Sequence, residues 1–221
     1  MKLHLKEKTV RIGLLLVGLC VAHFGVTLFL LSNLGSDPFN VLIQGLTRMV
    51  PWPAWLAMTH GRVHLAVSVL IVAVLLMVDR PQIRIGTLVC MALGGPIIDV
   101  FTALLTPVIH AGLPLAIRIT VLAAGCVILA FGMTVVICSE AGTGPNDLVA
   151  VVISEKSGKP FGIVRMCTDL AFAAVGFLLG GTVGLGTVIC ALLVGPVAQT
   201  FMPISRKICT VCVKKYQKVE R

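Results

Sequence analysis

This sequence is poor in charge, poorest in acids, and lacks any pattern that carries catalysis. Only 12% of its 221 residues are Asp, Glu, Lys or Arg, and only nine are Asp or Glu. Soluble domains carry about 25% charged residues. With 57% hydrophobic residues and a mean hydropathy of +1.04, the composition excludes an ordinary soluble domain and points to an integral membrane protein. There is no Ser-His-Asp motif, no nucleotide-binding glycine loop and no His-Glu-x-x-His, so an enzyme is not expected. No group of His, Cys, Asp or Glu has metal-ligand spacing, and no cofactor is expected. No low-complexity linker or soluble domain interrupts the chain. No cleavage site follows the first apolar run, 12–31, which is long enough to span.

The charge that is present is basic, a net +9, and its placement sets nucleic acid aside as a partner. Lys2, Lys6, Lys8 and Arg11 flank the first apolar run. Arg206, Lys207, Lys214, Lys215, Lys218 and Arg221 follow the last. Basic flanks at both ends predict cytoplasmic termini, an even number of crossings and attraction to anionic lipid headgroups. Of eight cysteines, six lie in apolar segments, where cysteine behaves as a small hydrophobe. Only Cys209 and Cys212 form a C-x-x-C, with no second pair, so a metal or redox site there is the lesser reading.

Two stretches of the chain copy each other. Phe24-Gly25-Val26-Thr27 and Leu34-Gly35-Ser36-Asp37-Pro38-Phe39-Asn40 recur 107 positions on as Phe131-Gly132-Met133-Thr134 and Ala141-Gly142-Thr143-Gly144-Pro145-Asn146-Asp147. Downstream, Gly86-Thr87-Leu88-Val89-Cys90 answers Gly186-Thr187-Val188-Ile189-Cys190, and Gly95-Pro96 answers Gly195-Pro196. The chain divides into a first membrane repeat at 1–110, a second at 111–205 and a basic tail at 206–221.

Six apolar runs are long enough to span: about 12–32, 62–78, 84–105, 117–138, 163–180 and 184–204. Each repeat also holds a shorter piece, 37–49 and 145–154, opened by a capping residue (Asp37 or Gly144) and a proline at the first helical position. If these half-helices are re-entrant, the repeats are inverted and the chain spans six times. If they cross, the repeats are parallel and it spans eight times. Length favours six, because a helix of 10–13 residues reaches only about 15–20 Å. The segment Pro51-Trp52-Pro53-Ala54-Trp55 reads as an interfacial anchor.

The polar residues inside this apolar sequence are the candidates for function. Asp37, Asn40 and Gln44 share one face of the first half-helix, and Asn146 and Asp147 sit at the equivalent of Phe39 and Asn40. Half-helix N-termini present unpaired N–H groups and suit an anionic or strongly polar group near the midplane. The competing reading is that Asp37 and Asp147 only cap their helices. Asp99 and Gln199 occupy nearly corresponding places, with Asp99 as a proton carrier or a structural hydrogen-bonder. Arg165 and Asp169 are four apart and read as a neutralising pair before a substrate clamp.

The run Gly35-Ser36-Asp37-Pro38-Phe39-Asn40-Val41-Leu42-Ile43-Gln44-Gly45-Leu46 resembles the YczE-like group of bacterial multi-pass membrane proteins, related to YyaS and YitT. So does Leu179-Gly180-Gly181-Thr182-Val183-Gly184-Leu185-Gly186-Thr187, ending at Gly195-Pro196-Val197-Ala198-Gln199. The resemblance runs from about Ile12 to Phe201 and implies an architecture and a bacterial cytoplasmic membrane, without a substrate. Many members of that group carry Gly-Pro-Trp-Asp where this chain has Asp37-Pro38-Phe39-Asn40. The sequence thus predicts an all-α polytopic protein that works as a small-solute transporter or permease between the two half-helices. The alternative is a non-transporting accessory protein that helps another protein mature. Expected partners are membrane lipid and an unspecified small molecule, with self-association left open.

Overall fold

The computed structural model describes residues 2–49 and 60–218, with side chains placed from Glu7 to Lys215. Its described residues fold into eight α-helices: α1 (Lys2–Leu31), α2 (Pro38–Met49), α3 (His60–Val78), α4 (Ile85–Leu105), α5 (Leu115–Cys138), α6 (Pro145–Ser157), α7 (Phe161–Leu178) and α8 (Leu185–Lys218). Six are long and apolar enough to cross a membrane: those beginning at Glu7, His60, Ile85, Leu115, Phe161 and Leu185. The protein is an all-α polytopic membrane protein. The anchor expected at 51–55 lies outside the described residues.

The core is the pairing of α1 with α5, and glycine makes it close. A Cβ on Gly25 would strike the backbone of Leu129 and Gly125, and one on Gly132 would strike Ala22 and Gly18. Gly18 and Gly125 complete the set, their Cβ positions 2.9 Å from Val136 N and 2.8 Å from Gly25 O. In an apolar surround, helices gain little from hiding apolar surface and hold together by such close backbone packing.

The two helices run antiparallel, and their ends are fastened by matching bonds. Arg118, at the start of α5, donates to Ser32 O (2.7 Å) and Asn33 O (2.6 Å) just beyond α1. Arg11, near the start of α1, donates to Ser139 O (3.1 Å) just beyond α5 and pairs with Glu140 (2.8 Å). Arg11 and Arg118 are themselves 107 positions apart, as are Ser32 and Ser139.

The loops after α1 and α5 are then exchanged between repeats. Gly186 N donates to Leu34 O (2.8 Å), so the start of α8 receives the first repeat's loop. Gly86 N donates to Ala141 O (2.9 Å), so the start of α4 receives the second's. Gly35 (φ 149°) and Gly142 (φ 135°) sit at these crossings in backbone that only glycine adopts readily. A Cβ would meet Thr187 Oγ1 at 2.9 Å in one and Thr87 N at 2.5 Å in the other.

The half-helices α2 and α6 have 12 and 13 residues, about 18 and 20 Å. Asp37 Oδ1 accepts from Asn40 N (3.2 Å) and caps α2, while Gly144 and Pro145 open α6 and left-handed Gly158 (φ 65°) closes it. α2 lies beside α7 in the same direction. Gly45 abuts Gly176 and Leu179, and Arg48 donates to Gly180 O (2.7 Å). α2 therefore starts deep and emerges at the end where α1 finished. α6 runs against α7, and Ser154 Oγ meets Lys159 O (2.8 Å) at the opposite end of the bundle. Each half-helix returns to the end from which its loop entered. The helix from Leu185 continues without a break through Arg206 to Lys218, and Cys209 is buried against Val135.

Two outcomes follow. Gly25→Leu should unfold or aggregate the purified protein, since overpacking a filled contact costs about 1–3 kcal/mol or more. Gly13→Leu, where nothing lies within 4 Å, should elute as the parent does. In sealed vesicles, single cysteines at Gln82 and Thr182 should label from opposite faces; labelling from one face would contradict the antiparallel bundle.

Candidate site between the half-helices

Helix geometry places three of the polar residues read from sequence in one buried cluster. Arg165 is one turn into α7, Asp169 is on the next turn of the same face, and Asp147 is on the first turn of α6. Arg165 Nη1 bonds Asp147 Oδ1 at 2.6 Å, and Arg165 Nε bonds Asp169 Oδ2 at 3.0 Å. The side chains of Arg165 and Asp169 are 8% and 1% exposed and that of Asp147 19%. Charges this deep in a membrane protein persist only when paired. Arg165 thus ties a half-helix to a full-length helix. Asp169 Oδ1 has no hydrogen-bond partner.

The first half-helix brings its own acid toward the same cluster. Asp37, at the deep end of α2, lies within electrostatic reach of Asp169, as does Asp147. Asp37 also binds the side chain of Asn40, whose oxygen faces His60 (3.1 Å). Phe39 packs edge-on against His64 and Phe172, with ring centroids 5.3 and 5.4 Å apart. Asn146 is half-buried beside Gly144.

Two residues chosen from sequence are elsewhere. Gln44 bonds Ser36 Oγ (2.8 Å) and accepts from Thr182 (3.1 Å to Oγ1), so it fastens the entering loop to the α7–α8 loop. The one-face pattern through Asn40 was correct for helix phase, but seven residues carry Gln44 two turns out from the deep end. Asp99 is exposed on α4. Sequence reading also missed Ser68. His64 and Ser68 precede Arg165 and Asp169 by 101 positions each, and Ser68 is 2% exposed. That offset, different from the 107 and 100 of the flanking segments, was the signal.

The two repeats hold their outer helices differently. α7 and α8 close on each other at Gly162 and Gly195, where a Cβ on Gly162 would lie 2.6 Å from Gly195 O, and Gln199 Oε1 accepts from Gly162 N (2.8 Å). Asp99 stands at the counterpart of Gln199, in strict register four residues after Gly95. Yet Gly61 and Gly95 have nothing within 4 Å, and α4 packs on α1 through Phe24 and Phe101 rather than on α3. At the end bearing Arg11, Glu140 and Arg206, a vestibule of about 540 Å³ reaches Val151, Phe161 and Gln199. Val151 stands one turn from Asp147 and Phe161 one turn from Arg165, and both are buried with Val194 and Ala198 in one apolar cluster.

Residues 9–203 match the model of a family of unknown function, DUF6198. The chain belongs to this family. It is 30% identical over 196 residues to an uncharacterised protein of Haemophilus influenzae, covering 87% of this chain and 84% of that one. It is 27% identical over 212 residues to the uncharacterised membrane protein YczE of Bacillus subtilis, covering 95% and 94%. To the uncharacterised protein YyaS of Bacillus subtilis it is 22% identical over 188 residues, covering 85% and 90%. No solved structure matches. These likenesses agree with the resemblance read from the half-helix and Gly-Pro motifs.

Removing one member of a buried ion cluster leaves its partners uncompensated at about 3–5 kcal/mol. Arg165→Ala should therefore lower the thermal midpoint sharply. Adding Asp147→Asn and Asp169→Asn to it should recover most of the loss, as read by thermal unfolding in detergent.

Proposed function

We propose that this multi-pass membrane protein carries a small polar solute across the bacterial cytoplasmic membrane, holding it between the deep ends of α2 and α6. The observation that carries this reading is the convergence of two half-helices, entering from opposite ends, on one buried cluster built by Arg165, Asp147 and Asp169. Broken helices at an inverted-repeat interface are how many secondary transporters make a midplane site.

The unequal halves support the same reading. Buried Val151 and Phe161 lie between the helices at the vestibule, with α7 closed on α8, while α3 and α4 stand apart on the other flank. A carrier that exposes its site to one side at a time needs such a difference between its two halves.

Charge orients the bundle. Arg11, Arg80, Arg84, Lys156, Lys159 and Arg206 gather at the end holding the vestibule and both terminal helices' outer ends. Arg48, Arg62 and Arg118 stand at the other. By the positive-inside rule this distribution supports a cytoplasmic location for the first end and for both terminal helices' outer ends.

A thermal-shift screen of the purified protein tests the function, using amino acids, amines, organic acids, sugars, nucleosides and phosphate. A ligand at a hundredfold excess over its Kd stabilises by about 2.7 kcal/mol, or roughly 5–10 °C for a chain of this size. At least one class should do so for the parent and fail with Asp147→Asn. If no class shifts the parent, and a partner protein co-purifies instead, the accessory role replaces transport.

A further inference from the structure

The charge balance of the buried cluster identifies the kind of solute it takes, an inference that rests on the transport reading above. Half-helix N-termini attract anions, and sequence alone favoured an anionic or strongly polar substrate group. In the folded protein that attraction is already used internally. Asp37 Oδ1 takes the Asn40 N–H at the mouth of α2, and Asp147 occupies the first turn of α6. Asp37 and Asp147 each lie within electrostatic reach of Asp169. The one guanidinium bonded among them, Arg165, is committed to two of the three.

Three carboxyl groups stand against one guanidinium, which bonds only two of them, in an interior where an uncompensated charge is costly. His64 packs edge-on against Phe39, and His23 Nδ1 bonds Leu19 O in its own helix, so neither ring is hydrogen-bonded to a carboxylate of the cluster.

A second observation points the same way. The described side chains include three buried polar atoms without a hydrogen-bond partner, and all are oxygens: Thr87 Oγ1, Thr143 Oγ1 and Asp169 Oδ1. A carboxylate oxygen can only accept, so what Asp169 lacks is a donor or a positive charge. The two threonines belong to the loop exchange at the mouth of α6. In the other repeat the same place is satisfied, with Thr187 Oγ1 donating to Ser36 O at 2.6 Å. Buried polar atoms are normally paired, so Asp169 Oδ1 calls for a partner from outside the chain, a water or a bound ion.

We propose that the cluster binds a small monovalent cation, with Asp169 Oδ1 as its principal contact and Asp37 completing the charge balance. A protonated primary amine and a sodium ion share this chemistry, and the experiment separates them. The carboxylates do not form a metal-chelating group of three among the described residues.

The test is isothermal titration and thermal shift on the full-length protein in nanodiscs. Probes are ethanolamine, putrescine and tetramethylammonium as organic cations, sodium against potassium, succinate and inorganic phosphate as anions, and glucose as a neutral solute. An organic cation or sodium should bind, and the anions and glucose should not. Asp169→Asn should weaken that binding at least tenfold and Asp37→Asn severalfold. Asp99→Asn, on the exposed face of α4, should leave it unchanged. Asp169→Glu serves where Asp169→Asn does not fold, and should retain binding with altered affinity. Binding of succinate or phosphate would overturn the cation assignment while leaving solute binding intact. Stabilisation that follows pH alone, with no probe effect, would assign the excess charge to protons and also overturn it. Binding by no probe of any class would remove the solute site together with the transport reading.

Discussion

The close backbone approach of α1 and α5 is the constraint on which the rest of the molecule depends. Without side chains at Gly18, Gly25, Gly125 and Gly132, the helices come near enough for the ends of each to be bound by the arginine of the other. That fixes where the two loops leave the pair. From there Gly35 and Gly142 carry each loop into the opposite repeat's last helix, and only then do α2 and α6 begin at depth. An apolar solvent supplies no hydrophobic drive for helix association, so an architecture of this kind is held by fit and hydrogen bonds. The aromatic pairs agree: Phe24 with Phe101 and Phe131 with Phe201 meet edge-on at the same 5.3 Å in both repeats.

Pseudo-symmetry of the scaffold makes its breaches informative. One repeat holds Arg165, Asp169 and Asp147, and the other holds His64, Ser68 and Asn40 at the equivalent positions. Asp37 restores an acid to the first repeat, three residues earlier, where it caps α2 and still reaches Asp169. The interior is therefore polar on both sides of the pseudo-axis but charged mainly on one. Its outer helices differ in the same sense: α7 is clamped to α8 through Gly162 and Gln199, while α3 and α4 stand apart.

Much of this was legible in the chain. The glycine-bearing breaks, the prolines opening each short helix and the basic ends predicted two half-helices within six spans, because each is a local rule with a direct sequence sign. Arg165 and Asp169 were readable as partners from their spacing of four. Their third partner was not, since Asp147 reaches Arg165 only after α6 turns back at Gly158 to run against α7. Asp99 and Gln44 looked equivalent to the others in sequence. Burial and hydrogen bonding separated them, one facing outward and the other spent on a loop.

By itself the sequence determined the class of protein, the repeat, the half-helices and which polar residues stand in apolar surroundings. Those follow from composition and short-range periodicity. The tertiary structure alone decided that the loops exchange partners and that two carboxylates, on different helices, share one guanidinium. Each of those rests on contacts between residues far apart in the chain. Their pairing is set by where backbones can approach closely, and no local pattern encodes that.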